Sequence, residues 1–388
     1  LGYCRRVRTV EVKIEDIAFG GKGVARMEGK ALFVPFTIEG ERVSAKVTRE
    51  KKQFAEGELV EVLEPSPERA NPECPYFGRC GGCAYQHMNY DEQLKAKAKQ
   101  VDQTMRRIGK LPAPPMVPIA PSALPYGYRN RITVHAEDNV IGFYRRDVHR
   151  LMDIAQCPIA MPEVNAALVR LRGGRVRDGH YTLRAHSGPR VFEQTNDAVA
   201  DALAGYIAGM FAGDEKLLID AFCGAGFFAK RFAPRFERVV GIDWDRFAIE
   251  AAQKEAGANE AYIAGDVAFE LGRVLRGVAA GVSPADDCSD PRVETPADDC
   301  SDPRVETPAT TLIVDPPATG LSTEIRQAIL DSPPRTMFYV SCNPPTLARD
   351  LAELQSRFSI HSIKPFDMFP QTAEIEVVAE LKRSESCA

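Results

Sequence analysis

In the C-terminal half of this chain, short apolar runs at residues 216–220, 238–242, 261–264 and 311–314 each finish at or beside an aspartate: Asp220, Asp243, Asp266 and Asp315. Runs this short, rich in Val, Ile and Leu, read as strands buried on both faces, which in practice means a parallel sheet. Helix-length segments separate them, so the fold class is α/β, doubly wound. In such a sheet ligands collect beyond the carboxyl ends of the strands, where these aspartates stand.

The first run turns through Ala221-Phe222-Cys223-Gly224-Ala225-Gly226 into a helix that begins at Phe227. Glycines there let a backbone approach a ligand closely. The spacing is Gly-x-Gly with Phe227 and Phe228 after it, and no lysine stands where a phosphate loop needs one, so the expected ligand carries no pyrophosphate. S-adenosylmethionine fits: Asp243 sits where such folds hold ribose hydroxyls, and Phe222, Asp266 and Asp315 complete a rim suited to an adenosine and a sulfonium. The competing reading of each aspartate is a helix cap.

A fifth apolar run, Met337-Phe338-Tyr339-Val340, leads into Ser341-Cys342-Asn343-Pro344-Pro345. Cys342 at that strand end is a nucleophile candidate, with a thiolate expected to gain from the mouth of a helix over residues 346–354. The alternative is a buried cysteine packing as a small hydrophobe.

Cysteines recur at Cys74, Cys80 and Cys83, spaced C-x5-C-x2-C among glycines, and again at Cys157. Four thiolates suit zinc or an iron–sulfur cluster, and the three-plus-one arrangement favours [4Fe-4S]. Disulfides are the third reading. The lack of a signal peptide or an apolar membrane run argues against them, and points to a cytoplasmic protein with no membrane partner.

These residues carry a family resemblance over roughly residues 7–382. Cys74 to Cys83 with Gln86-His87, Phe192-Glu193-Gln194-Thr195-Asn196, Ser341-Cys342-Asn343-Pro344, and the run from Phe366 through Gln371 to Glu376 resemble, in order, motifs of the bacterial uracil-5-methyltransferases of ribosomal RNA. The resemblance implies a [4Fe-4S] cluster on the four cysteines, a cofactor contact from Gln194, Cys342 as nucleophile and Glu376 as general base, with Glu374 as second candidate. It implies S-adenosylmethionine as methyl donor and RNA, 23S ribosomal RNA above all, as partner of a monomer. The chemistry accounts for the pair: a thiolate on carbon 6 of uracil makes carbon 5 nucleophilic, and a base must afterwards remove the proton of carbon 5. Glu374 and Glu376 would share one side of a final strand at period two. The chain departs from the family at Ala318, where arginine is common, at Glu374, where histidine is common, and at Phe227 in the glycine turn.

Alternation of apolar and polar residues from 8 to 64, between glycine turns, reads as a small antiparallel barrel resembling the RNA-binding TRAM domain. Three domains are therefore expected: a barrel at 7–64, a cluster-bearing, RNA-binding centre at 65–190, and a methyltransferase domain at 191–388. A helix at 90–108 is expected to pack on the last.

Net charge is −5, unusual for an RNA partner, but a segment at 284–295 is repeated unchanged at 296–307 and the two copies supply −6. Outside them the balance is +1, and arginines gather at 129, 131, 145, 146 and 150 and again from 170 to 190. The duplicated segment, rich in Pro and Asp, reads as a disordered surface loop. Two other function classes compete. An exocyclic-amine methyltransferase would use Asp315-Pro316-Pro317 but needs no cysteine, and a non-catalytic RNA-binding protein would not bind the cofactor.

Overall fold

The computed structural model describes residues 8–186, 194–214, 216–279 and 309–384. The duplicated segment at 284–307, and Phe192 and Glu193 of the glutamine motif, lie outside the described residues.

Strands β1 (Arg8–Ile17), β2 (Lys22–Met27), β3 (Lys30–Pro35), β4 (Arg42–Glu50) and β5 (Phe54–Glu64) close into a barrel in the order β1-β2-β3-β5-β4. Period-two alternation is the cause: Val12, Ile14, Ala25, Leu32, Val34, Val43, Ala45 and Ala55 fill the inside. Helix α1 (Tyr90–Arg107) follows, capped by Asn89, whose side chain accepts from the Glu92 N–H at 2.9 Å.

Strands β6 (Arg131–Glu137), β7 (Val140–Tyr144) and β8 (Leu151–Asp153), helix α2 (Pro162–Arg172) and strand β9 (Gly179–Arg184) build a second unit. Its antiparallel sheet, ordered β8-β7-β6-β9, buries Ile132, Val134, Ala136 and Ile141 against Val164 and Leu168 of α2.

After α3 (Asp197–Gly209) come β10 (Leu217–Ala221), α4 (Phe227–Phe232), β11 (Arg238–Asp243), α5 (Arg246–Lys254), β12 (Glu260–Ala264), α6 (Val267–Ala279), β13 (Thr310–Val314), α7 (Thr323–Asp331), β14 (Thr336–Ser341), α8 (Pro344–Leu354), β15 (Phe358–Phe366) and β16 (Glu376–Arg383). They form a doubly wound seven-stranded sheet ordered β12-β11-β10-β13-β14-β16-β15, parallel except for β16, which runs antiparallel to both its neighbours. Every residue of β10 and β13 is buried, as the uninterrupted apolar runs require. The order reverses between β10 and β13, which opens a crevice at their carboxyl ends.

Helix α1 packs against this large sheet. Val101 and Met105 join its core with Leu351, Leu354 and Phe358, and residues 116–120 add a parallel bridge pairing along β15. Helix α1 also meets the segment after Cys83 and the barrel, with Ala96 packed among Ala84, Tyr85, Met88 and Ile17, so it bridges the units on either side of it. No helix among the described residues is long and apolar enough to cross a membrane.

Candidate functional site

The crevice is built by strand ends. Asp220, fully buried, accepts from the Ala229 N–H at 2.9 Å and so fastens the first turn of α4, while its other oxygen has no partner among the described residues. The glycine turn is held in left-handed backbone: φ is 66° at Phe222, 54° at Gly224 and 86° at Gly226. A Cβ at Gly226 would meet the Tyr262 hydroxyl at 2.9 Å, so glycine is required there twice over. The Asp243 carboxylate ties the turn, accepting from the Gly224 N–H at 2.8 Å and the Asp245 N–H at 2.8 Å. Trp244, the chain's single tryptophan, stands beside it 73% exposed.

Asp315 lies across the crevice and accepts from Gln194 Nε2 at 3.3 Å. A cavity of about 510 Å³ opens here, lined by Asn130, Gln194, Phe222, Ala225, Gly226 and Asp315 among others. Asn130 was not singled out in the sequence. It donates to the Gln194 carbonyl at 2.7 Å and to Asp197 at 2.6 Å, and no local motif marks it because its partners lie 64 and 67 residues away. Asp266 stands apart: it is exposed at the end of the edge strand, and its carboxylate caps α6 by accepting from the Phe269 N–H at 2.9 Å. The helix-cap reading therefore describes its contacts.

Cys342 follows β14. The last rung of the β14–β16 ladder pairs Ser341 with Val377, so antiparallel register sets Cys342 opposite Glu376 at the next step. Asn343 and Thr346 both donate to the Ala318 carbonyl, at 3.0 and 3.2 Å, and this ties the cysteine loop to the Asp315-Pro316-Pro317 loop. Behind them Asp350, buried and also missed in the sequence, accepts from Tyr339 Oη at 2.7 Å and the Leu321 N–H at 2.9 Å.

Electrostatics sets the character of the crevice. Burial, with the charges of Asp315 and Asp243, pushes Asp220 up to about 8, and burial pushes Asp315 up to about 7. Glu376 is 3% exposed with one oxygen unpartnered, and burial followed by the charges of Asp315 and Glu374 lifts its carboxyl far above the ordinary range. Burial and the charges of Glu376 and Asp315 push the Cys342 thiol up to about 12. The expected gain from a helix mouth is thus outweighed: α8 begins at Pro344, and three carboxyl groups oppose the thiolate. The two glutamates differ in burial: Glu374 precedes β16 and is exposed, whereas Glu376 opens the strand and is buried. A site this rich in poorly neutralised carboxyl groups is complementary to a cation, which is the demand a sulfonium and an amino group meet.

The segment ahead of Glu376 is anchored from afar. Lys97 of α1 and Asp367, both wholly buried, pair at 2.6 Å, and Lys97 also donates to the Phe369 carbonyl at 3.0 Å. Gln371, in left-handed backbone at φ 70°, accepts at its carbonyl from the Ala84 and Tyr85 N–H groups. Gln93 holds the same residue twice, at 3.0 Å each, through its amide nitrogen and its amide oxygen.

Cys74, Cys80, Cys83 and Cys157 line one cavity of about 360 Å³ beside the four-stranded sheet, and all four are unpaired thiols. Backbone contacts fix their loops: the Cys74 N–H donates to Gln86 at 3.0 Å, Arg146 donates to the Cys83 carbonyl at 3.1 Å, and the Cys157 N–H donates to Asn165 at 2.8 Å. Burial pushes Cys83 up to about 12 and Cys157 up to about 11. Among the described residues no three His, Cys, Asp or Glu side chains gather closely enough to hold one metal ion. The cysteines surround a space instead of converging on a point.

Comparison with known proteins adds two family matches: the TRAM domain over residues 5–60, and the tRNA (Uracil-5-)-methyltransferase domain over residues 305–384. An uncharacterized RNA methyltransferase of Aquifex aeolicus is 27% identical over 97% of this chain and 99% of its own length. The tRNA (uracil(54)-C(5))-methyltransferase of Schizosaccharomyces pombe is 26% identical over 97% of this chain and 79% of its own length. In fold, the chain is similar to the Pyrococcus abyssi tRNA (uracil-54, C5)-methyltransferase solved with S-adenosyl-L-homocysteine, with TM-score 0.67 and 23% identity over 96% of this chain and 99% of that one.

Proposed function

We propose, from the premise that this chain is an S-adenosylmethionine-dependent RNA methyltransferase of the uracil-5 family carrying a TRAM domain, that it methylates carbon 5 of a uridine in 23S ribosomal RNA through a covalent adduct on Cys342. The observation that carries this reading is the register that sets Cys342 against Glu376 at the end of β14 and β16, beside a crevice of carboxyl groups.

When bound, S-adenosylmethionine supplies an electrophilic methyl group on a sulfonium. Gln194, Phe222 and Asp315, which line the cavity, and Asp243, which ties its glycine turn, are the residues that would hold it, while Asp266 caps α6 apart from them. Its positive charge offsets the carboxyl groups, so Cys342 and Glu376 ionise more readily with the cofactor in place. Cys342, its thiol proton lost to solvent, would bond through Sγ to carbon 6 of the uracil, moving the carbon 5–carbon 6 π pair into an enolate; carbon 5 would then take the methyl, and the electrons of the broken methyl–sulfur bond would stay on the thioether of the departing S-adenosylhomocysteine. Glu376 removes the remaining proton from carbon 5, the carbon–sulfur bond breaks, and the ring double bond returns.

Trp244 beside Asp243 is a native reporter of cofactor binding. Its emission is expected to change on titration with S-adenosylhomocysteine, and Asp243→Ala should weaken the binding by roughly 10- to 100-fold, the worth of a charged hydrogen bond. An unchanged Kd would remove Asp243 from the site.

The four cysteines suit a [4Fe-4S] cluster: they ring a cavity, none is paired in a disulfide, and iron would neutralise thiolate charge that burial alone disfavours. The cluster would brace the fold and the RNA-binding face, since methyl transfer requires no electron carrier. Protein purified without oxygen should be brown and contain iron and acid-labile sulfide, with the colour lost in Cys83→Ser. Stoichiometric zinc without iron would exclude the cluster.

The cysteine cavity and the sequence resemblance support ribosomal RNA. The transfer-RNA enzymes among the relatives favour a second reading, position 54 of a transfer RNA. Mapping 5-methyluridine in both RNAs from cells with and without the gene decides between them. The reading is of a monomer in the cytoplasm.

A further inference from the structure

Opposite its packed side, the four-stranded sheet carries a face of arginines, threonines and histidines that is exposed in part. The β6–β9 register pairs Arg131 with Arg184, Thr133 with Thr182 and His135 with His180. All six side chains belong to the face opposite Ile132 and Val134, and Thr133, Thr182 and His180 are exposed. Thr133 and Thr182 share a hydrogen bond at 3.1 Å, the kind of cross-strand pair that holds a sheet together. His180 Nδ1 and His135 Nδ1 lie 2.7 Å apart. The Tyr144 ring stands 4.6 Å from the His135 ring, and His149, carried back by the β7–β8 hairpin, stacks on Tyr144 at 4.2 Å and 15°. Rings, hydroxyls and guanidinium groups thus form one continuous surface. Arg131, Thr133 and Tyr144 also line the cysteine cavity, so the surface runs to its mouth. Glu137, at the far end of β6, and Asp153, which pairs with Gly142 on β7 and holds Arg172 at 2.7 Å, are acids at its edges.

We infer that this face is a stacking platform for unpaired nucleotides of the RNA substrate, with Tyr144, His149 and the His135–His180 pair taking bases. The inference rests on the RNA reading above and narrows it, because exposed rings can stack only on bases that are not already stacked within a duplex. A flat charged patch meant for duplex phosphates would need the arginines and not the rings.

The test is a fluorescence-anisotropy titration of the full chain with a labelled single-stranded oligoribonucleotide, and with the same strand annealed to its complement. S-adenosylhomocysteine affinity serves as the check on folding. Tyr144→Ala should weaken single-strand binding roughly tenfold or more and duplex binding by less than about twofold, while Tyr144→Phe keeps the ring and the affinity. His180→Ala, at an exposed position, should lose several-fold on the single strand only, and decides the matter if Tyr144→Ala does not fold. Single-strand affinity unchanged in these variants, or an equal loss on duplex, would overturn the platform while leaving the methyltransferase reading intact. Failure of the unaltered protein to bind either RNA would overturn both.

Discussion

Cys342→Ala is expected to lower turnover on RNA by at least about 10⁴-fold, the scale seen when a covalent nucleophile is removed, while leaving cofactor binding unchanged. RNA containing 5-fluorouridine should form a denaturation-resistant complex with the unaltered protein, because fluorine cannot leave as a proton and the adduct cannot collapse. Cys342→Ala should form none. Glu376→Gln should still transfer the methyl group but stall afterwards, so that covalent complex accumulates even on ordinary RNA, while Glu374→Gln, at an exposed position outside β16, should be milder. The sign of the pH dependence follows from the shifts. Burial and neighbouring carboxyl groups hold both the Cys342 thiol and the Glu376 carboxyl in their protonated forms, and both must lose a proton to act. Adduct formation should therefore rise with pH through the neutral range without a plateau. Full turnover by Cys342→Ala would end the uracil-5 mechanism and favour the exocyclic-amine reading.

Lys97→Met is expected to destabilise the protein by about 3–5 kcal/mol, because it leaves Asp367 charged and unpaired in a wholly buried position. In a chain of this size that corresponds to a fall in melting temperature on the order of 10 °C. The double variant Lys97→Met/Asp367→Leu should recover most of the loss, since an apolar pair of similar volume costs little. The same single variant should lower kcat more than it raises the KM for the cofactor, because the pair holds the segment that leads to Glu376 and makes no contact with the cofactor crevice. A melting point within a degree or two of the unaltered protein would show that the pair carries no load.

The sequence by itself determined much of this protein, and for definable reasons. Buried parallel strands must be apolar throughout, so β10, β11, β12 and β13 were legible to within a residue or so at each end. The barrel was legible from its period of two, and the glycine turn from the left-handed backbone that only glycine adopts freely. Cys342, Glu376 and the four cysteines were singled out because each stands in a short motif.

Tertiary structure decided what distance along the chain conceals. The β14–β16 ladder brings Cys342 within reach of the Glu376 charge over 34 residues of chain, and burial distinguishes Glu376 from the exposed Glu374, which period two alone would not have told apart. Burial decided the protonation of Cys342 against the helix-mouth expectation, since desolvation and nearby carboxyl groups outweigh a helix end. Asp266 kept its helix cap because it ends an edge strand, away from the switch point. Asn130, Lys97 and Asp350 went unseen for one reason: a buried polar residue is explained by its partners, and these lie from 11 to 270 residues away in sequence.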